Sequence, residues 1–292
     1  MKKILIYALL LCVSKQLQAQ ISSETDIFLA SCKLDKTQAT VQTPENITHR
    51  TGYDNQPSFS KDGSLIFYVA YKDEKQADIF SYSIEQKTSS RITNTPESEY
   101  SPYLSDDEKF ISLVRVEKDS SQRFKKYVFE NFGSEAICNE LDSIGYYHWI
   151  NESNFAFFKI TEPPSLWQVN IKNCQEKFLA KNIGRSIRPK NNSELFITQL
   201  IDSVRWICSI NLKSGKVLPI IACLPGSEDF SVYDSQNIIQ AKGAKLYAYF
   251  PTKGTNWIEI ADFEKQGISN IKRIAISKDL SKIAFVNDSS KP

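Results

Sequence analysis

The residues best suited to chemistry in this 292-residue chain are few and widely spaced. Its two histidines, His49 and His148, belong to no HExxH motif and form no pair at helical spacing, so the common zinc-protease arrangement is absent. No GxSxG nucleophile elbow occurs, and neither does a GxxxxGK phosphate loop. Three carboxylates and one amide, Asp54, Glu99, Asp229 and Asn270, carry oxygen donors of the kind a hard divalent cation needs. They can act together only if a fold brings distant loops to one point. The elements that would do so are therefore the central issue.

Apolar residues make up 41% of the chain and charged residues 24%, a composition able to bury a core. Aromatics are abundant, with 17 Phe and 13 Tyr, which favours strands because flat and β-branched side chains suit a pleated surface. No segment after the first twenty residues sustains a 3.6-residue apolar period, so little helix is expected.

The opening MKKILIYALLLCVSKQLQAQ has a basic start, an apolar run and a small residue, Ala19, before Gln20. It reads as a signal peptide over 1–19, and its ten apolar residues are too few to span a bilayer. Lipidation at Cys12 is disfavoured, since Leu9-Leu10-Leu11 lacks the small residue expected before a lipidated cysteine. Removing 1–19 takes three lysines and no acid, leaving 33 of the 36 basic side chains against 34 acidic ones. A nucleic-acid partner, which needs a concentrated basic face, is not expected. No transmembrane span is expected in the mature chain. The cysteines beyond the signal, Cys32, Cys138, Cys174, Cys208 and Cys223, show neither CxxC spacing nor a dense framework. Buried free thiols acting as small apolar groups are the expectation.

A phrase recurs along the chain: FSKDGSLIFYV, LSDDEKFISLV, WINESNFAFFK, RPKNNSELFIT, VYDSQNIIQ and AISKDLSKIAFV. Aligning the turns places Asp62, Asp107, Glu152, Asn191, Ser235 and Asp279 at equivalent positions. The mean spacing is about 43 residues, the length of one four-stranded propeller blade. Within the first unit, strands are expected at 57–60, 65–71, 78–84 and 90–93, with the Asp62-Gly63 step in a hairpin turn. In the fourth unit, strands at 204–211 and 216–221 flank Ser214-Gly215.

The expected fold is all-β: a six-bladed β-propeller in one domain over 20–292. Blades fall roughly at 57–97, 98–143, 144–183, 184–226 and 227–268, with the sixth built from 269–292 plus 22–50. The last unit supplies only two strands, 271–277 and 282–286, and the N-terminal segments 25–33 and 40–48 have no partners of their own. Pairing them closes the ring and removes its free edges.

The stretch 48-THRTGYDNQPSFSKDGSLIFYVAY-71, the strand 77-ADIFSYSI-84 and 90-SRITNTPESEYSPYLSDDEKFISLV-114 resemble the WD40-like repeats of TolB-type six-bladed β-propellers. The likeness covers about residues 40–120 well and 271–286 fairly. It departs at Lys61, where the family has Pro. The resemblance implies a non-catalytic binding or scaffolding module of the bacterial cell envelope, periplasmic or secreted, monomeric and without a cofactor. The implied partner is a protein or peptide, with a peptidoglycan-associated lipoprotein as one candidate. The additional N-terminal domain of TolB has no room here, so only the propeller carries over.

Loops from the outer strand of one blade to the inner strand of the next would converge around the channel. They hold Tyr53, Asp54, Asn55 and Gln56, then Glu99, Tyr100 and Ser101, then Tyr146, Tyr147 and His148. Arg185, Ser186, Glu228, Asp229 and Asn270 follow. Tyr offers rigid area with a polar tip, which suits a protein or peptide partner. The alternative is a small-molecule or metal-dependent hydrolase, lactonase-like, with Asp54, Glu99, Asp229 and Asn270 meeting in the channel.

Overall fold

The computed structural model describes residues 24–72, 76–130 and 133–289. The expected signal segment lies outside them. After β1 (Thr25–Leu34), β2 (Ala39–Val41) and β3 (Glu45–Asn46), the strands come in sets of four. The first blade is β4 (Asp54–Phe59), β5 (Leu65–Lys72), β6 (Gln76–Ser83) and β7 (Thr88–Arg91). The second is β8 (Ser98–Leu104), β9 (Phe110–Val116), β10 (Gln122–Val128) and β11 (Gly133–Ala136). The third is β12 (Ile144–Asn151), β13 (Asn154–Lys159), β14 (Ser165–Asn170) and β15 (Gln175–Lys181). The fourth is β16 (Ile183–Asn191), β17 (Glu194–Ile201), β18 (Val204–Asn211) and β19 (Val217–Ala222). The fifth is β20 (Phe230–Val232), β21 (Ile238–Lys242), β22 (Lys245–Tyr249) and β23 (Trp257–Asp262).

β24 (Ile271–Ile276) and β25 (Lys282–Asp288) then join the N-terminal strands in the order β2-β1-β25-β24, with β3 also on β1. The seam runs antiparallel from Thr25 opposite Asp288 to Ser31 opposite Lys282. The chain is a six-bladed β-propeller closed by its two ends, as the repeat count requires. Among the described residues, the only helical turns are two short 3-10 segments, Pro251–Lys253 and Glu264–Gln266.

The second strand of each blade explains the apolar runs of the repeat. On β5, Ile66, Tyr68 and Ala70 pack toward the seam blade, against Ile27, Ala284 and Val286. Phe67 and Val69 point the other way, into a core with Leu104, Ile111 and Leu113 of the second blade. A strand buried on both faces cannot alternate apolar with polar residues. Each further junction repeats this division, so the core is six wedges between blades. Phe155 and Phe157 are fully buried in one of them, and burial of such a ring contributes about 1.5–3 kcal/mol.

The recurring Ser-x-Asp turn has a definite mechanism. Ser60 Oγ donates to Asp62 Oδ1 at 2.6 Å and accepts from the Leu65 N–H at 2.9 Å. Ser105 and Asp107, and Ser277 and Asp279, repeat both bonds. Gly63 completes the first turn at φ +70°, a region that favours glycine. Those hydroxyl bonds hold the Asp62 and Asp279 carboxyls down at about 2.

The middle blades differ from the sequence alignment. In the third, the bonding side chain is Asn151, whose Oδ1 accepts from the Ser153 N–H, rather than Glu152. In the fifth it is Asp234, which accepts from the N–H groups of Gln236 and Asn237, rather than Ser235. β12 reaches β13 across two residues, so the third blade has no room for the longer Ser-x-Asp loop, whereas in the fourth blade Asn191 at the aligned position accepts from the Ser193 N–H.

The cysteine expectation is corrected in part. Cys138 and Cys174 form a disulfide with Cα atoms 5.4 Å apart, because the segment after β11 meets the β14–β15 turn. It ties the second blade to the third. Cys32, Cys208 and Cys223 are free. Burial raises the Cys208 thiol to about 12 and the other two to about 11, which keeps all three as protonated, apolar groups.

Candidate functional site

The inner strands β4, β8, β12, β16, β20 and β24 surround a cavity of 480 Å³ on the propeller axis. All of them except β20 lose register with their neighbour near their starts, at Asn55/Ser58, Tyr100/Tyr103, Ile144/Tyr146, Ile183/Ile187 and Lys272/Ile274. A bulge re-aims a side chain. Here the residues at these breaks, Gln56, Ser101, Tyr146, Arg185 and Arg273, line the cavity. Gln56, Ser101 and Arg273 adopt positive φ. One bulge supports the next, since Gln56 Oε1 accepts from the Ser101 N–H at 2.6 Å.

Four blades meet around Asp229. Arg185 reaches it with two bonds, at 3.1 and 2.7 Å, while Arg273 Nη1 donates at 2.9 Å and Ser186 Oγ at 3.1 Å. Arg273 Nη2 donates onward to the Tyr146 hydroxyl at 2.9 Å, and its guanidinium lies 4.7 Å from that ring's centroid. Burial alone would raise the Asp229 carboxyl. Arg273 and Arg185 outweigh burial and hold the carboxyl well below the usual carboxylate range. Glu228 Oε1 accepts from the Arg185 N–H at 2.8 Å. Gly184 permits that approach: an added Cβ would overlap both Thr198 Oγ1 and Glu228 Oε1.

The other sequence-selected carboxylates are held apart from this cluster. Asp54 is fully buried, pairs with Arg50 at 2.8 Å and donates its backbone N–H to Thr25 Oγ1 at 3.1 Å. Its Oδ2 is buried with no hydrogen-bond partner among the described residues. Burial outweighs the Arg50 pair and raises this carboxyl to about 6. Glu99 is also fully buried, accepts from Thr95 Oγ1 at 2.9 Å, and is raised by burial. Asn270 is exposed at the seam, where its N–H donates to Asn287 Oδ1. Among the described residues, no group of three His, Cys, Asp or Glu side chains is placed to hold a metal ion.

Tyr53 packs against Tyr71 with ring centroids 4.6 Å apart, and burial raises it and Tyr100. Asn55 is buried, with its Oδ1 accepting from the Gln56 N–H. Tyr146, Tyr147 and His148, expected in a loop, lie on β12. The Tyr147 hydroxyl donates to the Ser101 carbonyl at 2.9 Å. His148 lines the channel beside Tyr103, and burial together with Arg188 lowers it to about 3, so it is neutral.

Among the cavity residues that the sequence reading did not select are two arginines, Arg188 and Arg273. The signal available was a basic residue inside an otherwise apolar inner strand, as in 271-IKRIAI-276. Arg188 donates to the Ile187 carbonyl at 2.9 Å. Burial, with Arg273 adding to it and Asp229 opposing, lowers it to about 10.

Among the described residues, no helix is long and apolar enough to cross a membrane. No protein-family model matches the chain, and no curated protein does. Solved structures do match. A TolB-type protein from Agrobacterium tumefaciens superposes with a TM-score of 0.70 at 11% identity, over 91% of this chain and 98% of that one. A chain of a nidogen–laminin complex gives 0.61 at 12% identity, over 91% and 100%. An oligogalacturonate lyase in complex with manganese gives 0.60 at 11% identity, over 84% and 79%. At such identities the likeness is one of architecture, and this chain shares the six-bladed fold of the TolB-type propellers.

Proposed function

We propose that this chain is an exported, non-catalytic propeller that docks a protein or peptide partner in the cell envelope. Its docking surface is the channel mouth where the inner strands begin. The observation that carries the reading is the mouth itself. Tyr53, Tyr100 and Tyr146 are held in place by ring contacts, bulges and the Arg273 bond, and rigid aromatics lose little entropy on binding. Most of the carboxylates expected to serve a catalyst are instead buried in blade junctions, as Asp54 and Glu99 are. Its likeness to a TolB-type protein and to a chain of a nidogen–laminin complex agrees with a binding role.

A photo-cross-linking residue at Asn270, exposed beside the mouth, tests this against one at Ser214. Ser214 is exposed in the β18–β19 turn, on the face where the inner strands end. In envelope preparations, a discrete cross-linked protein at position 270 and none at 214 is expected. Equal capture at both positions, or none at 270, would exclude the mouth as the docking surface.

A second reading places a small-molecule reaction in the channel. The likeness to an oligogalacturonate lyase favours it, as does a cavity into which Arg185, Arg188 and Arg273 project from an otherwise mixed wall. Turnover of a panel of lactones and uronide oligomers by the purified chain distinguishes it from pure binding.

A further inference from the structure

The cavity wall is unevenly charged. Lys61, Arg185, Arg188, Arg273 and Lys278 line it against a single carboxylate, Asp106. Asp229, just behind the wall, carries one negative charge that is already shared by Arg185 and Arg273. Arg188 forms no ion pair with any carboxylate among the described residues. Its one hydrogen bond there, to the Ile187 carbonyl, leaves most of its donor fork free. Asp229 attracts Arg188 at a distance and Arg273 repels it, but among the described residues no carboxylate comes within ion-pair reach of its guanidinium, so a structural ion pair does not explain it.

We propose that the central channel binds a carboxylate anion, held by the guanidinium of Arg188 with Arg185 and Arg273 setting the surrounding field. A planar guanidinium presents parallel N–H donors that match a carboxylate bidentately. A low-dielectric channel lined by one sign of charge focuses that attraction. The neutral His148 and the Tyr103 ring form the adjacent wall, which suits an organic acid better than a bare ion. The volume, 480 Å³, falls in the range of small-molecule sites. The ligand is either a free organic acid or an acidic side chain of a peptide. The inference goes beyond the docking reading and stands whether or not the mouth takes a protein.

Calorimetric titration of the full chain at low salt tests it with four probes. These are citrate, a capped triglutamate peptide, inorganic phosphate and a capped triglutamine peptide. Binding of citrate or triglutamate is expected, weakened roughly ten-fold or more in Arg188→Gln and reduced by added salt. Citrate alone assigns a free acid, triglutamate alone assigns a peptide segment, and both together assign a carboxylate site open to either. The proposal is overturned if neither binds, if phosphate or triglutamine binds as tightly, or if Arg188→Gln binds normally. Should that variant fail to fold, phenylglyoxal modification of the unaltered chain decides. Citrate or triglutamate must shield Arg188, and an unshielded Arg188 overturns the proposal.

Discussion

Asp54 and Asp229 occupy comparable places, at the start of an inner strand in the first and fifth blades, yet their surroundings give them opposite character. Asp229 receives two arginines and a serine from neighbouring blades. Asp54 receives a single, partly exposed Arg50 and keeps one buried oxygen without a partner among the described residues. Burial penalises both charges. At Asp229 the guanidiniums win and the carboxyl is held low; at Asp54 burial wins and it rises to about 6. The lesson is that a buried carboxylate is set by how many neighbouring blades supply cations, not by its position in the repeat.

The harshest test of this contrast is Asp229→Ala. It leaves Arg185 and Arg273 unpaired in a half-buried wall, so urea unfolding should show a loss of about 3–5 kcal/mol. A loss under about 1 kcal/mol would break the comparison. The covalent tie on the other side of the ring ranks next. Replacing Cys138 and Cys174 by Ser should cost about 2–4 kcal/mol, and reduction of the unaltered protein should lower its urea midpoint in the same way.

The pH dependence of the two carboxylates should run in opposite directions. Asp54 has a folded pKa near 6 against an unfolded value of 3.8. The folded state therefore binds its proton more tightly, and this residue adds stability as pH falls from about 7, reaching about 2 kcal/mol at pH 4. Asp54→Asn should remove that gain, which paired unfolding curves at pH 7 and pH 4 would reveal. Asp229, with its folded value lowered, contributes stability above its unfolded pKa that is lost as pH falls further. The smallest effect is expected at Glu99, which is raised by burial and has no arginine bonded to it among the described residues. Glu99→Gln keeps the shape and removes the charge, so its melting temperature should match or slightly exceed the parent's.

The same contrast separates what was legible in the sequence from what was not. The turns at Asp62, Asp107 and Asp279 could be read because each rests on local bonding between residues a few positions apart; their spacing gave the blade count, and the strands left unpartnered at either end gave the seam. The third and fifth blades shifted the capping role to Asn151 and Asp234, since loop shape, not spacing, decides which side chain meets the turn. The Asp229 cluster joins residues from different blades, Arg185, Arg273 and Tyr146, by way of strand bulges. Nothing in a periodic pattern announces a bulge. The Cys138–Cys174 bridge likewise joins two blades at a distance of 36 residues, which no spacing in the repeat announces.

Carbon-detected NMR titration of the side-chain carboxyls tests most directly whether neighbouring arginines set the two buried carboxyls apart. Asp54 should titrate near pH 6, while Asp229 stays ionised to well below the ordinary carboxylate range. If both titrate together near pH 4, the arginines do not govern this wall and the two ends of the comparison collapse into one.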